Sequence, residues 1–115
     1  MVGRVFDRGD VVRVCLNPVS GNEIQGDFRP CLVLSTKAFN RLGLALIVPI
    51  TQGGNYARVH GFTIPLIGTG MDTQGVVVVN SIKSLDLKAR QAKFVEKASQ
   101  VVVDDALAKL QAILE

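Results

Sequence analysis

The segment "GDFRPCLVLST", residues 26–36, sets an arginine directly before a proline and the proline before an unbroken apolar run. Cysteine, leucine and valine in a short run behind turn-forming residues read as a buried strand. Proline cannot donate to a ladder, so it belongs at the first position of a strand over residues 30–36. Arg29 then stands at the mouth of a buried strand. It is either a solvated loop residue or a charge aimed at a site, and this segment alone leaves both open.

Upstream, "GDVVRVCLN" (residues 9–17) carries Val12, Val14 and Leu16 on one face at period two, the pattern of a strand. Residues 17–28 form a polar loop. Downstream, "KAFNRLG" predicts one helical turn. "LALIVPIT" (residues 44–51) is apolar throughout, as a central strand would be. "QGGNYARVHG" is turn-rich. "FTIPL" alternates but contains Pro65, which suggests an edge strand. "GVVVVN" (residues 75–80) predicts a further strand, with weaker ones in "IKSLDL" and "AKFVEK". The end changes period: Val103, Ala106, Leu107, Leu110, Ile113 and Leu114 recur at helical spacing, with Ser99 or Asp104 as caps.

Many short strands closed by one amphipathic helix indicate a mainly β domain over residues 1–115, an antiparallel barrel or half-barrel with the helix packed across it. The loops at residues 17–29 and 52–61 are long for so small a barrel, which points to binding or catalysis.

Composition narrows the function. A 48% hydrophobic content supports a core. Thirteen Lys and Arg against ten Asp and Glu give a net charge of +3, a modest surplus that favours a nucleic acid partner. No apolar run approaches the ~20 residues of a membrane span, and the first ten residues lack a signal-peptide core, so a cytoplasmic, membrane-free protein is expected. Cys15 and Cys31 lie sixteen positions apart without partner histidines and read as reduced core residues, not metal ligands.

His60 is the single histidine, and there is no G-x-S-x-G, C-x-x-C, H-E-x-x-H or phosphate-binding glycine loop. Neither a metal nor a cofactor is expected. What remains is a set of polar residues at strand ends: Asn22, Glu23, Gln25, Arg29, Thr51, Gln52, Asn55, Asn80 and Lys83. They suit a phosphodiester in single-stranded RNA. Arginine offers a fork of donors to phosphate, amides bond exposed base edges, and the 2′-OH is a built-in nucleophile.

The ordered pieces "GNEIQGDFRP", "PITQGGNYAR" and "GVVVVN" strongly resemble the MazF/PemK/Kid toxins, from Gly9 through the C-terminal helix. The resemblance implies an SH3-like barrel with a C-terminal helix, assembled as a homodimer. It also implies a ribosome-independent endoribonuclease that cuts single-stranded mRNA at a short motif and halts growth. Such toxins are held off by a cognate antitoxin whose acidic, partly disordered tail fills the RNA groove. Cleavage without a metal would leave a 2′,3′-cyclic phosphate and a 5′-OH.

Carried over by position, the arginine before proline is Arg29 and the strand-end threonine is Thr51, the principal catalytic residues. Arginine is a poor proton donor, so Arg29 is assigned to charge stabilisation, and Glu23 to accepting the proton. Asn22, Gln25, Gln52, Asn55, Asn80 and Lys83 are assigned to substrate binding. The chain departs from its relatives at Asn22, where some carry histidine. It departs again at Val78 and Asn80, where the Kid type has an Arg-x-Asp pair, and at Ser81, commonly glutamine. A CcdB-like gyrase poison on the same fold is an alternative, although its tail uses a tryptophan and this chain has none. A non-cleaving RNA-binding barrel is another.

Overall fold

The computed structural model describes residues 4–16, 28–52 and 62–115. Seven antiparallel strands make one curled sheet: β1 Asp10–Cys15, β2 Phe28–Val33, β3 Ala45–Thr51, β4 Thr63–Pro65, β5 Val76–Val78, β6 Lys83–Leu85 and β7 Lys93–Lys97. Their order is β4-β5-β3-β2-β1-β7, with β6 also on β3. A short helix α1, Lys37–Asn40, links β2 to β3, and α2, Gln100–Leu114, ends the chain. This is the mainly β architecture with a terminal helix that the patterning predicts.

Period-two alternation sorts the side chains onto two faces. Val11, Leu32, Val48, Ile50 and Val77 point one way and meet Val102, Val103 and Ala106 of α2, with Leu107 and Leu110 at the margin. Val12, Val14, Cys31, Val33, Ala45 and Ile47 point the other way, onto Phe6, Leu85 and Leu87. A 15-residue helix is marginal alone in water, so α2 owes its stability to that buried stripe. The stripe ends early: Ile113 is half-exposed and Leu114 is 76% exposed, so the last turn leaves the core. Ser99 is the N-cap by position, but its hydroxyl makes no capping bond and its Oγ is buried without a partner. Asp104 lies within the helix and accepts from Gln100 Nε2 at 2.8 Å.

Both central prolines sit where a ladder has lapsed. β2 starts at Phe28, so Pro30 is its third residue, not its first. Pro30 pairs with Arg13 of β1, but the ladder with β3 opens only at Cys31, which leaves Pro30 on a stretch with one bonded neighbour. Pro49 lies inside β3, where β6 pairs up to Ile47 and β5 resumes at Ile50. The missing N–H falls beside that gap. The gap is spanned by a 3-10 turn, Val79–Ser81, into which the expected strand "GVVVVN" breaks after Val78. Pro65 is in β4, an edge strand as expected.

The β1–β7 edge is pinned by Asp10, whose side chain is 5% exposed. Asp10 Oδ1 accepts from Lys97 Nζ at 3.0 Å, Oδ2 accepts from the Asp7 backbone N–H at 2.8 Å, and Lys97 Nζ also donates to the Arg8 carbonyl. Replacing Asp10 by Ala strands these donors and is expected to cost roughly 1–3 kcal/mol, read as a lowered urea midpoint. An unchanged midpoint would show that the edge is held by its ladder alone.

Candidate functional site

Each strand of the second core face turns polar at the same end of the sheet. On β1 the face runs Val12, Val14, then Leu16. On β2 it runs Val33, Cys31, then Arg29. On β3 it runs Ala45, Ile47, Pro49, then Thr51, and on β6 it runs from Leu85 to Lys83. The registers Val14↔Arg29, Cys31↔Pro49 and Ile47↔Lys83 hold these rows side by side. Continuing the β2–β3 register by two residues sets Arg29 across from Thr51. Where the apolar side chains stop, a cavity of ≈ 300 Å³ opens, lined by Leu16, Arg29, Pro49, Ile50, Thr51, Val78, Ser81 and Lys83.

The structure therefore brings Arg29, Thr51 and Lys83 together. Arg29 and Lys83 are exposed and Thr51 is half-buried, with its hydroxyl donating to the Gln52 carbonyl over a long 3.4 Å. Arg29 is aimed by the pairing of its own residue with Val14, since it lies inside β2, rather than by Pro30 at a strand start. No carboxylate is among the described residues lining the cavity, so its field is positive and suits an anion. Beneath it, Cys31 Sγ donates to the Arg29 carbonyl at 3.7 Å, and burial pushes the Cys31 thiol up to about 12, against a smaller opposing effect of Lys83. Cys31 is a core residue and no nucleophile; Cys15 is buried as well.

Gln52 follows Thr51 but turns to the other side of the strand end. It lines a larger cavity of ≈ 600 Å³, which also takes in Thr51, and a third of ≈ 330 Å³ beside Arg13. Asn80 is exposed on the 3-10 turn and lines neither, and its neighbour Ser81 is the residue that reaches the Arg29 cavity. Asn22, Glu23, Gln25, Asn55 and His60, with the two long loops, lie outside the described residues. Among the described residues no group of three or more His, Cys, Asp or Glu is arranged to hold a metal ion, and no helix is long and apolar enough to cross a membrane.

Sequence reading missed one polar group. Glu96 of β7 accepts from the Asp72 N–H at 3.1 Å, the Thr73 N–H at 2.6 Å and the Thr73 hydroxyl at 2.5 Å. Burial works against its charge, but these bonds outweigh it and hold the Glu96 carboxyl below the ordinary carboxylate range. The contact joins residues 23 apart in sequence, beyond any local signal.

Residues 7–114 match the family described as PemK-like, MazF-like toxin of type II toxin-antitoxin system. The chain belongs to this toxin family. It is 53% identical over 110 residues to "Endoribonuclease toxin ChpB" of Escherichia coli (strain K12), covering 96% of this chain and 95% of the relative. The structure of MazF (Form-I) from Deinococcus radiodurans superposes with a TM-score of 0.81 at 32% identity, over 97% of this chain and 98% of that one. A MazE-MazF structure (Form-II) from the same organism superposes at 0.79 with 28% identity, covering 97% of each chain.

In this PemK/MazF-like toxin, the strand end that carries Thr51 is fixed by a glycine. Gly75 has φ +122°, and a Cβ there would lie 2.5 Å from the Thr51 carbonyl oxygen and 3.0 Å from its carbon. Only glycine lets β5 approach this closely. Gly75→Ala is expected to cost roughly 1–3 kcal/mol of stability by displacing Thr51. Gly68→Ala, at φ +78° with open space around it, should cost less. Equal losses in chemical denaturation would mean that the crowding at Thr51 is relieved without consequence.

Proposed function

We propose that this toxin is an endoribonuclease that cuts single-stranded mRNA by 2′-OH transesterification at the Arg29–Thr51 cavity, and so stops translation and growth. The observation that carries the reading is the joint lining of one cavity by Arg29, Lys83 and Thr51 with no carboxylate among its described lining residues. Two cations and a hydroxyl suit a phosphodiester. The relatives named as endoribonuclease toxins support the reaction class.

In the reaction the substrate's 2′-oxygen bonds to phosphorus while the P–O5′ bond breaks, leaving a 2′,3′-cyclic phosphate and a 5′-OH. The 2′ proton passes to a base, for which Glu23 is the candidate, and the departing 5′-oxygen takes a proton from solvent. The Arg29 fork holds the non-bridging oxygens and offsets the charge that grows on them. Thr51 donates to the same phosphate through its hydroxyl, and Lys83 adds charge without geometry. Because the RNA supplies the nucleophile, no metal-bound hydroxide is required.

The same positive cavity suits the acidic, partly disordered tail of a cognate antitoxin, which would occupy the groove by mimicking phosphates. The MazE-MazF structures among the neighbours support a partner of this kind. The working unit is a cytoplasmic homodimer of one domain per chain, with Gln52 beside the cavity and Asn22, Gln25, Asn55 and Asn80 as further RNA contacts. RNA binding should weaken steeply with salt, and antitoxin and RNA should exclude each other. Simultaneous binding of both without loss of affinity would contradict a shared groove.

The mutational test uses cleavage rate on one defined RNA beside a thermal melt. Arg29→Ala should lose about 3–4 kcal/mol of transition-state stabilisation, the scale of a deleted oxyanion donor. Thr51→Ala should lose less, roughly 1–3 kcal/mol. Arg29→Lys keeps the charge but not the fork and should stay far below wild type. All three should melt like wild type, because both side chains lie beyond the core. Full activity in Arg29→Ala would return Arg29 to a solvated surface residue.

A further inference from the structure

Beside the cationic cavity lies the larger one of ≈ 600 Å³, within the ~300–1,000 Å³ of small-molecule clefts. The two meet at Thr51, which lines both. Their chemistry differs sharply. The smaller holds Arg29 and Lys83; the larger holds no charged residue among the described residues that line it. Its walls are Leu66, Met71 and Val76, and its polar groups are Gln52, Thr73 and Gln74. An apolar slot with two amides and a hydroxyl is a poor site for phosphate. It suits a flat, neutral heterocycle: the walls and the Met71 thioether lie against the ring, and the amides offer donors and acceptors to its edge.

From this partition we infer that the ≈ 600 Å³ cavity receives the nucleobase next to the scissile phosphate, that Gln74 and Gln52 read its edge, and that Glu96 positions the wall that carries Gln74. The inference rests on the nuclease reading above. The wall is a built structure. Thr69 donates to the Leu66 carbonyl through both its N–H and its hydroxyl, at 3.2 and 2.6 Å. Gly68 and Gly70 have φ of +78° and +81°, which glycine adopts without strain. Glu96 then reaches across from β7 and ties down Asp72 and Thr73, the two residues before Gln74. A carboxylate that accepts from two successive backbone N–H groups fixes the direction in which the next side chain leaves the chain.

The test cleaves a pool of RNA randomised around one cut site with full-length wild type, Gln74→Ala, Glu96→Gln and Arg29→Ala, and sequences the ends. Wild type should show a base preference at one position beside the cut. Gln74→Ala should relax discrimination at that position alone by roughly 5- to 100-fold, the worth of a good edge contact. Glu96→Gln should relax the same position less, with a melt near wild type, a pattern that a merely structural role would not produce. An unchanged base profile in Gln74→Ala, whatever its rate, overturns the inference, as does relaxation spread evenly over all positions. A wild type that cuts no RNA sinks the nuclease reading instead. A wild type that cuts while Arg29→Ala does not, with Gln74→Ala unaltered in preference, sinks only the base-reading cavity.

Discussion

The register of β2 between β1 and β3 is the constraint on which the rest of the molecule depends. With Cys31 opposite both Val12 and Pro49, every second residue of three strands falls on one face, and that face passes from core to cavity within a few residues. A slip of one residue would reverse every side chain of β2. Arg29 would then share a face with Arg13, and Cys31 would leave its core. Burial of the apolar rows thus fixes the position of the charged ones. Leu32, Cys31 and Val33 are fully buried, and each fully buried side chain of this kind is worth roughly 1.5–3 kcal/mol, so the register is held by far more energy than the cavity itself could supply.

Gly75 and Glu96 act on the same region from outside that register. Gly75 lets β5 close on the carbonyl of Thr51, and Glu96 ties the preceding loop to β7. Thr51 therefore sits where a cationic and a neutral cavity meet, held from both sides. A strand end with these supports is rigid enough to orient a hydroxyl, which a residue on a long loop would achieve only on binding.

Much of this was legible in the sequence because burial writes itself as period. Val12 and Val14, the apolar run of β3, the Pro65 edge and the α2 stripe all follow from alternation or helical spacing. The prolines misled because a strand's neighbours change along its length: Pro30 and Pro49 are inside strands, each beside a gap that only the sheet topology reveals. "GVVVVN" broke after Val78 because β3 exchanges one partner for another there. Arg29, Thr51 and Lys83 were readable as polar residues at strand ends. Asn80 was not separable from Ser81, since a 3-10 turn reverses which of two neighbours faces the cavity. Glu96 carried no local signal, because its partners are more than twenty residues away.

The reaction assigned to this toxin depends on a nucleophile that the substrate carries. The most direct test is therefore a pair of RNA oligonucleotides with one cut site, identical but for 2′-deoxyribose at the nucleotide 5′ to the cut. The ordinary strand should be cut in the presence of EDTA to 2′,3′-cyclic phosphate and 5′-OH ends, and the substituted strand should bind and remain whole. Cleavage of the deoxy-substituted strand would contradict transesterification at the Arg29–Thr51 cavity.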